Sequence, residues 1–188
     1  MHRSSVVLLV TVGALVNSAC SLVAPQYTAD LSDVQRLKDA HIDSAKVGEF
    51  TASKESTISL RGSSLSSPYE NSYGKYLAES LKQELQLAGK LAPDSTIEVT
   101  GVLLENDLDA SGFSTGTGHI KAHFTVKHSD ATAYDQIKAA DIKWDSSFVG
   151  SVAIPRAQQQ YPKLVQALLS KLFDDKAFIK ALQQASQP

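Results

Sequence analysis

The sequence predicts an α+β domain: one antiparallel sheet of about four strands, with two main helices packed on one face. Three observations predict it. Residues 67–89 place apolar side chains at helical spacing between a start and a stop signal, and residues 96–127 hold two runs that alternate apolar with polar. Residues 155–183 then return to helical spacing, so the order reads β-α-β-β-β-α.

Ahead of the domain, Met1-His2-Arg3 is a short basic start, Val6 to Val16 is almost unbroken apolar, and Asn17-Ser18-Ala19 leads into Cys20. Charge, apolar run and small residues in that order read as an export signal over residues 1–19, removed before folding. Eleven residues of helix reach only about 16 Å against a hydrocarbon core of roughly 30 Å, which argues against a permanent span. Cys20 is the only cysteine. Asn17 stands where the lipoprotein pattern usually has an aliphatic residue, but no A-x-A-like site follows the apolar run. The stretch therefore resembles a lipoprotein signal more than a soluble secretory one, and that resemblance implies cleavage before Cys20 and acylation of the new N-terminus, palmitate included. The resemblance to Gram-negative lipoproteins, in which aspartate after the cysteine tends to retain the protein in the inner membrane, implies the outer membrane here, where Ser21 follows.

Without residues 1–19 the chain carries 17 basic and 20 acidic residues, a net charge of −3. That is no electrostatic footprint for nucleic acid and no polybasic patch for anionic lipid. No second cysteine exists to close a disulfide, so the fold rests on packing. Residues 20–44 read as the lipidated cysteine, a tether (21–29) and a possible short helix from Asp30 to Ala40, with Leu31, Val34 and Leu37 on one side. Residues 45–188 read as the single α+β domain.

Within the domain, Phe50 to Arg61 is predicted as the first strand, rich in Ser and Thr, with Ile58 and Leu60 alternating. Ser67-Pro68-Tyr69-Glu70 has the form of a capping box with proline in the first helical position. Tyr73, Leu77, Leu81, Leu85 and Ala88 follow on one face, and Gly89 supplies the stop. Ile97, Val99, Gly101 and Leu103 form one side of the next strand. Ile120, Ala122, Phe124 and Val126 alternate with His119, Lys121, His123 and Thr125 in the cleanest period-2 run of the chain. Asn106 to Gly118 is predicted as the loop of a long hairpin. Asp135 to Phe148 is predicted as a further strand with Ile142, Trp144 and Phe148 inward. Pro155 opens the last helical region, Pro162 kinks or divides it, and Asp174 caps a final turn.

Candidate chemistry is sparse. Gly112-Phe113-Ser114-Thr115-Gly116 matches G-x-S-x-G, and Asp107, Asp109 and His119 lie close enough in sequence to imagine a triad. That motif needs a strand before the serine and a helix after it, whereas glycines and an alternating strand follow Ser114, so loop chemistry is the expected reading. The same glycines open no helix that could hold a phosphate. His119 and His123 are four apart, which on a strand is about 13 Å, too far for one metal ion. No catalytic residue, metal or cofactor is expected. The Ser/Thr-rich stretch 51–67 reads as an exposed strand kept soluble by hydroxyls rather than as a glycan or headgroup site. Phe113, on the glycine-rich tip, is the candidate contact for a partner or a membrane surface.

Over roughly residues 45–183, the helix ending at Gly89, the strand pair, Trp144–Phe148–Gly150 and the closing Asp174-Asp175-Lys176-Ala177-Phe178-Ile179 resemble the small envelope lipoproteins of Gram-negative bacteria. The resemblance is greatest to the YajG type and extends more distantly to the lipopolysaccharide-assembly lipoprotein LptE. It implies an address and a fold; the YajG type has no firmly assigned activity. The LptE type would imply docking on an outer-membrane barrel, but its larger basic character is missing here. The leading expectation is a non-enzymatic, lipid-anchored envelope lipoprotein on the periplasmic face of the outer membrane. It would assist envelope assembly or transport by binding a membrane-protein partner. The alternative is a carrier of lipid or amphiphile with a helix–sheet cleft lined by Tyr73, Tyr161 and Phe124. A serine hydrolase at Ser114 is the remote third.

Overall fold

A computed structural model describes residues 21–53 and 58–183; the export signal and Cys20 lie outside the described residues. The fold is α+β, with a four-stranded and a three-stranded sheet. The larger sheet runs in the order β2 (Lys46–Ala52), β5 (Ile97–Asp109), β6 (Thr115–His128), β7 (Ala131–Asp145). Its last three strands are antiparallel, but β2 lies parallel to β5. A parallel neighbour needs a long crossover. Here that crossover contains β3 (Ile58–Leu60), β4 (Ser63–Ser66) and the helix α2 (Tyr73–Leu87).

The alternation in the sequence sets the inner face of this sheet. Ile97, Val99, Leu103, Ile120, Ala122, Phe124 and Val126 are all buried. Two helices cover them: α2 lies over β2 and β5, and α4 (Tyr161–Phe173) lies over β6 and β7. Tyr161 of α4 stacks against Tyr73 and Tyr76 of α2, with ring centroids 5.0 and 4.8 Å away. Close approach of α2 to β2 depends on Gly74, where a Cβ would stand 2.6 Å from the Phe50 carbonyl oxygen. Phe50 in turn lies over Gly101 and meets Phe124 edge-on at 6.1 Å. On the other face of the sheet, the side chains of β5, β6 and β7 are at least partly exposed.

Several boundaries differ from the sequence reading. The first strand, expected over 50–61, is divided between β2 and β3, which belong to different sheets. The first strong helix begins at Tyr73 rather than Pro68. Ser67 closes a local turn by accepting from the Tyr69 N–H, and Glu70 and Asn71 take positive φ, so Ser72 becomes the cap instead. The predicted hairpin loop 106–118 shrinks to residues 110–114, because Asn106 pairs with Ile120 and Asp107 with His119. In β7 the inward residues are Tyr134 and Ala140; Ile142 and Trp144 are half-buried and Phe148 is exposed beyond the strand end. The last region divides at Pro162 as expected, since α3 (Gly150–Gln158) abuts α4 and Pro162 sits in the first turn where no donor is lost, but it opens at Gly150 and Pro155 lies inside α3 rather than at its start. Asp175, not Asp174, caps α5 (Lys176–Ala181), through the Ala177 N–H.

Candidate functional site

The stretch read as a tether is built into the fold. Residues Ser21–Val23 form β1, which pairs in parallel with β4, Ser21 opposite Ser64. Ala24 and Tyr27 are buried in the same core as the sheet. The helix α1 (Leu31–Asp39) follows, with Asp30 as its cap and Val34 and Leu37 inward. A buried carboxylate secures this segment: Glu84 Oε1 of α2 accepts from the Tyr27 hydroxyl at 2.5 Å and from the Asp30 N–H at 3.0 Å. A second buried carboxylate, Asp33, accepts from Arg36 and from the Ser170 hydroxyl of α4.

Burial raises the Glu84 carboxyl above its ordinary value of 4.5 more than its hydrogen bonds lower it. The folded chain therefore holds a proton that the unfolded chain releases, and stability falls as pH rises from 4.5 through the raised value. Desolvation raises Asp33 in the same sense. Glu84→Gln should flatten this slope, leaving the Asp33 share, when thermal melts are compared at about pH 4.5 and about pH 7.

Beside β1 lies an exposed aromatic platform organised by Arg61. This residue sits in the β3–β4 turn at φ +51, a conformation that non-glycine residues rarely adopt. Its guanidinium donates to four backbone carbonyls: Nε to Ala110 (2.6 Å), Nη1 to Phe148 (2.7 Å), and Nη2 to Gly112 (3.2 Å) and Ser147 (2.9 Å). The planar fork thus ties the β5–β6 hairpin tip to the loop after β7. Ser146 N–H donating to the Ser114 carbonyl at 2.8 Å adds a fifth link. Phe113 from the tip and Phe148 from the loop face each other at 5.2 Å, with 77% and 68% of their surface exposed. Val149 and Val152 extend the exposed apolar patch onto the start of α3.

The other sequence candidates do not converge. Ser114 lies in the tip before β6, whereas His119 is the fifth residue of that strand, about 13 Å along it from Thr115 and beyond hydrogen-bond reach of the serine. The glycines around Ser114 have packing reasons: a Cβ at Gly116 would lie 2.3 Å from the Trp144 ring, and one at Gly112 2.1 Å from the Thr115 carbonyl oxygen. His119 instead bridges strands on the open face, with Nδ1 2.7 Å from Asp141 and Nε2 3.0 Å from Glu105. The Asp141 carboxylate, then Glu105, raises the pKa of that imidazole above 6.5. Lys121 donates to the other oxygen of Glu105. His123 pairs separately with Asp135. Among the described residues, no three His, Cys, Asp or Glu side chains are placed to hold a metal ion. Tyr73, Tyr161 and Phe124 line no cleft; they are packed within the core. A groove of about 720 Å³ lies instead between β2 and α2, where Glu70, Lys75, Glu79 and Lys82 make its lining strongly charged.

Arg61 and Glu84 carry no local sequence signal of their roles. Phe148-Val149 after a strand end is the one clue, an apolar pair in a serine-flanked loop.

No family model matches the chain, and no curated protein matches it in sequence. Among solved structures, protein XCC0632 from Xanthomonas campestris, of the DUF330 family, superposes with a TM-score of 0.52 at 14% identity, covering 81% of this chain and 95% of that one. The two chains share a fold. At that identity the likeness extends to nothing more. A candidate lipoprotein from Caulobacter crescentus (TM-score 0.47, 13% identity, 82% of this chain and 99% of that one) is a looser match. So is the hypothetical protein CT253 of Chlamydia trachomatis (0.41, 10%, 74% and 99%). None of these singles out the YajG or LptE type.

Proposed function

We propose that this protein is a non-enzymatic lipoprotein of the Gram-negative envelope, anchored through Cys20 on the periplasmic face of the outer membrane. In this reading it serves envelope assembly or transport by binding a membrane-protein partner. The observation that supports it is the absence of slack. Ser21, the residue next to Cys20, is itself paired in β1, so one peptide link, about 3.8 Å between Cα atoms, joins the acylated cysteine to the sheet. A domain held this closely cannot sweep the periplasm. A partner embedded in the same membrane shares that plane and meets the domain without a search through the periplasm, which favours a membrane protein. No described helix is long and apolar enough to cross a membrane, so the lipid is the anchor in this account.

Crosslinking in intact cells, followed by purification and mass spectrometry of proteins and lipids, tests the reading. A membrane protein recovered in stoichiometric amount is the expected result. Lipid recovered without any protein would replace the partner-binding account with a carrier one.

A further inference from the structure

We infer that the platform formed by Phe113, Phe148, Val149 and Val152 is a membrane-docking surface that rests on the bilayer beside the lipid anchor. The inference depends on the Cys20 reading above and adds an orientation to it. Three observations bear on it.

The first is position. β1 and β4 run parallel, so the start of β1 lies at the start of β4, next to the turn that carries Arg61. Arg61 is three residues before Ser64, the partner of Ser21, and its guanidinium holds the carbonyls on both sides of the platform. Ser21, to which the acylated cysteine is joined, and the two rings therefore belong to one end of the molecule.

The second is rigidity. Here the backbone beneath both rings is fixed by the Arg61 hydrogen bonds, and the rings remain largely exposed against each other. The ordering cost of presenting them is met within the fold, so their burial in another phase is favoured.

The third is charge. The mature chain is net −3 and the Arg61 guanidinium is occupied by carbonyls, so attraction to anionic headgroups is not the driving force. Apolar burial at the headgroup–acyl boundary is. A bilayer beside the anchor suits such a patch, because the lipid already holds it within reach.

The test uses the lipidated protein in phosphatidylethanolamine–phosphatidylglycerol vesicles. Acylation occupies Cys20, so Phe113→Cys, Phe148→Cys and Asp130→Cys each offer one free thiol for an environment-sensitive fluorophore. Asp130 is exposed at the far end of β5 and β6, about 40 Å from the hairpin tip. Probes at 113 and 148 should be quenched by nitroxide-bearing lipid, and the probe at 130 should not. If all three escape quenching while the protein remains on the vesicles, the anchor stands and the docking surface is overturned.

A second arm separates the two readings in the other direction. The chain starting at residue 20 with Cys20→Ala, which retains every described residue, should bind the same vesicles weakly. Phe113→Ser/Phe148→Ser in that chain should lower the affinity about tenfold or more. Equal binding of the two forms overturns the proposal whether or not Cys20 is acylated. Circular dichroism melts of each variant check that the exposed substitutions leave the fold intact.

Discussion

Cys20→Ala should move nearly all of the protein out of the membrane fraction, or leave it as the uncleaved precursor. Each buried methylene of an acyl chain contributes about 0.8 kcal/mol, and more than one chain is needed for stable attachment. The exposed platform is no substitute: two phenylalanines and two valines at an interface bury far less apolar surface than several acyl chains. Fractionation of wild type and variant from the same cells, followed by immunoblotting, reads the effect. A variant that remains with the outer membrane at the wild-type level would overturn the lipid reading.

The second large effect concerns the fold that presents the platform. Gly74→Ala should destabilise the domain by about 2 kcal/mol, although alanine is the better helix former by about 1 kcal/mol. The reason is where the new methyl goes. It would stand 2.6 Å from the Phe50 carbonyl oxygen and 2.9–3.0 Å from Thr51 backbone atoms, so a strand rather than a flexible side chain must give way. Displacing β2 would also disturb Phe50 on Gly101 and the edge contact with Phe124. Gly150→Ala is the matched control, since nothing lies within 4 Å of a Cβ there. Urea titration should show a fall in midpoint for the first and little change for the second.

These cases also show what was legible in the sequence. The strict alternation of Ile120, Ala122, Phe124 and Val126 sets a strand face, because a one-residue slip would expose the whole set. Gly89 ends α2 at φ +71, as its position after Ala88 implies. Pro162 marks the start of α4 because its ring fits a first turn, although Pro155 is accommodated inside α3. Local signals fail where two of them compete. Ser67 and Ser72 both offer a cap, and tertiary contact decides: the Tyr73 hydroxyl donates to the Leu65 carbonyl at 2.7 Å, while Glu70 and Asn71 adopt a turn. Residues 21–29 are short and mixed in composition, so nothing local announces that Tyr27 meets Glu84, fifty-seven residues away. The platform was half legible. Phe113 stands out on its glycine-rich tip, whereas Phe148 reads as inward on a simple extension of the β7 alternation. Its exposure follows from the loop carbonyls that Arg61 captures, a contact between residues eighty-seven apart. Side-chain hydrogen bonds to distant backbone leave no periodicity to read.

Anchoring through an acylated Cys20 directly before the paired Ser21 is best checked by the intact mass of the protein purified from membranes. The expected mass is that of a chain starting at Cys20 plus the added mass of its acyl groups. A mass matching unmodified Cys20, or an N-terminus at any other residue, would contradict it.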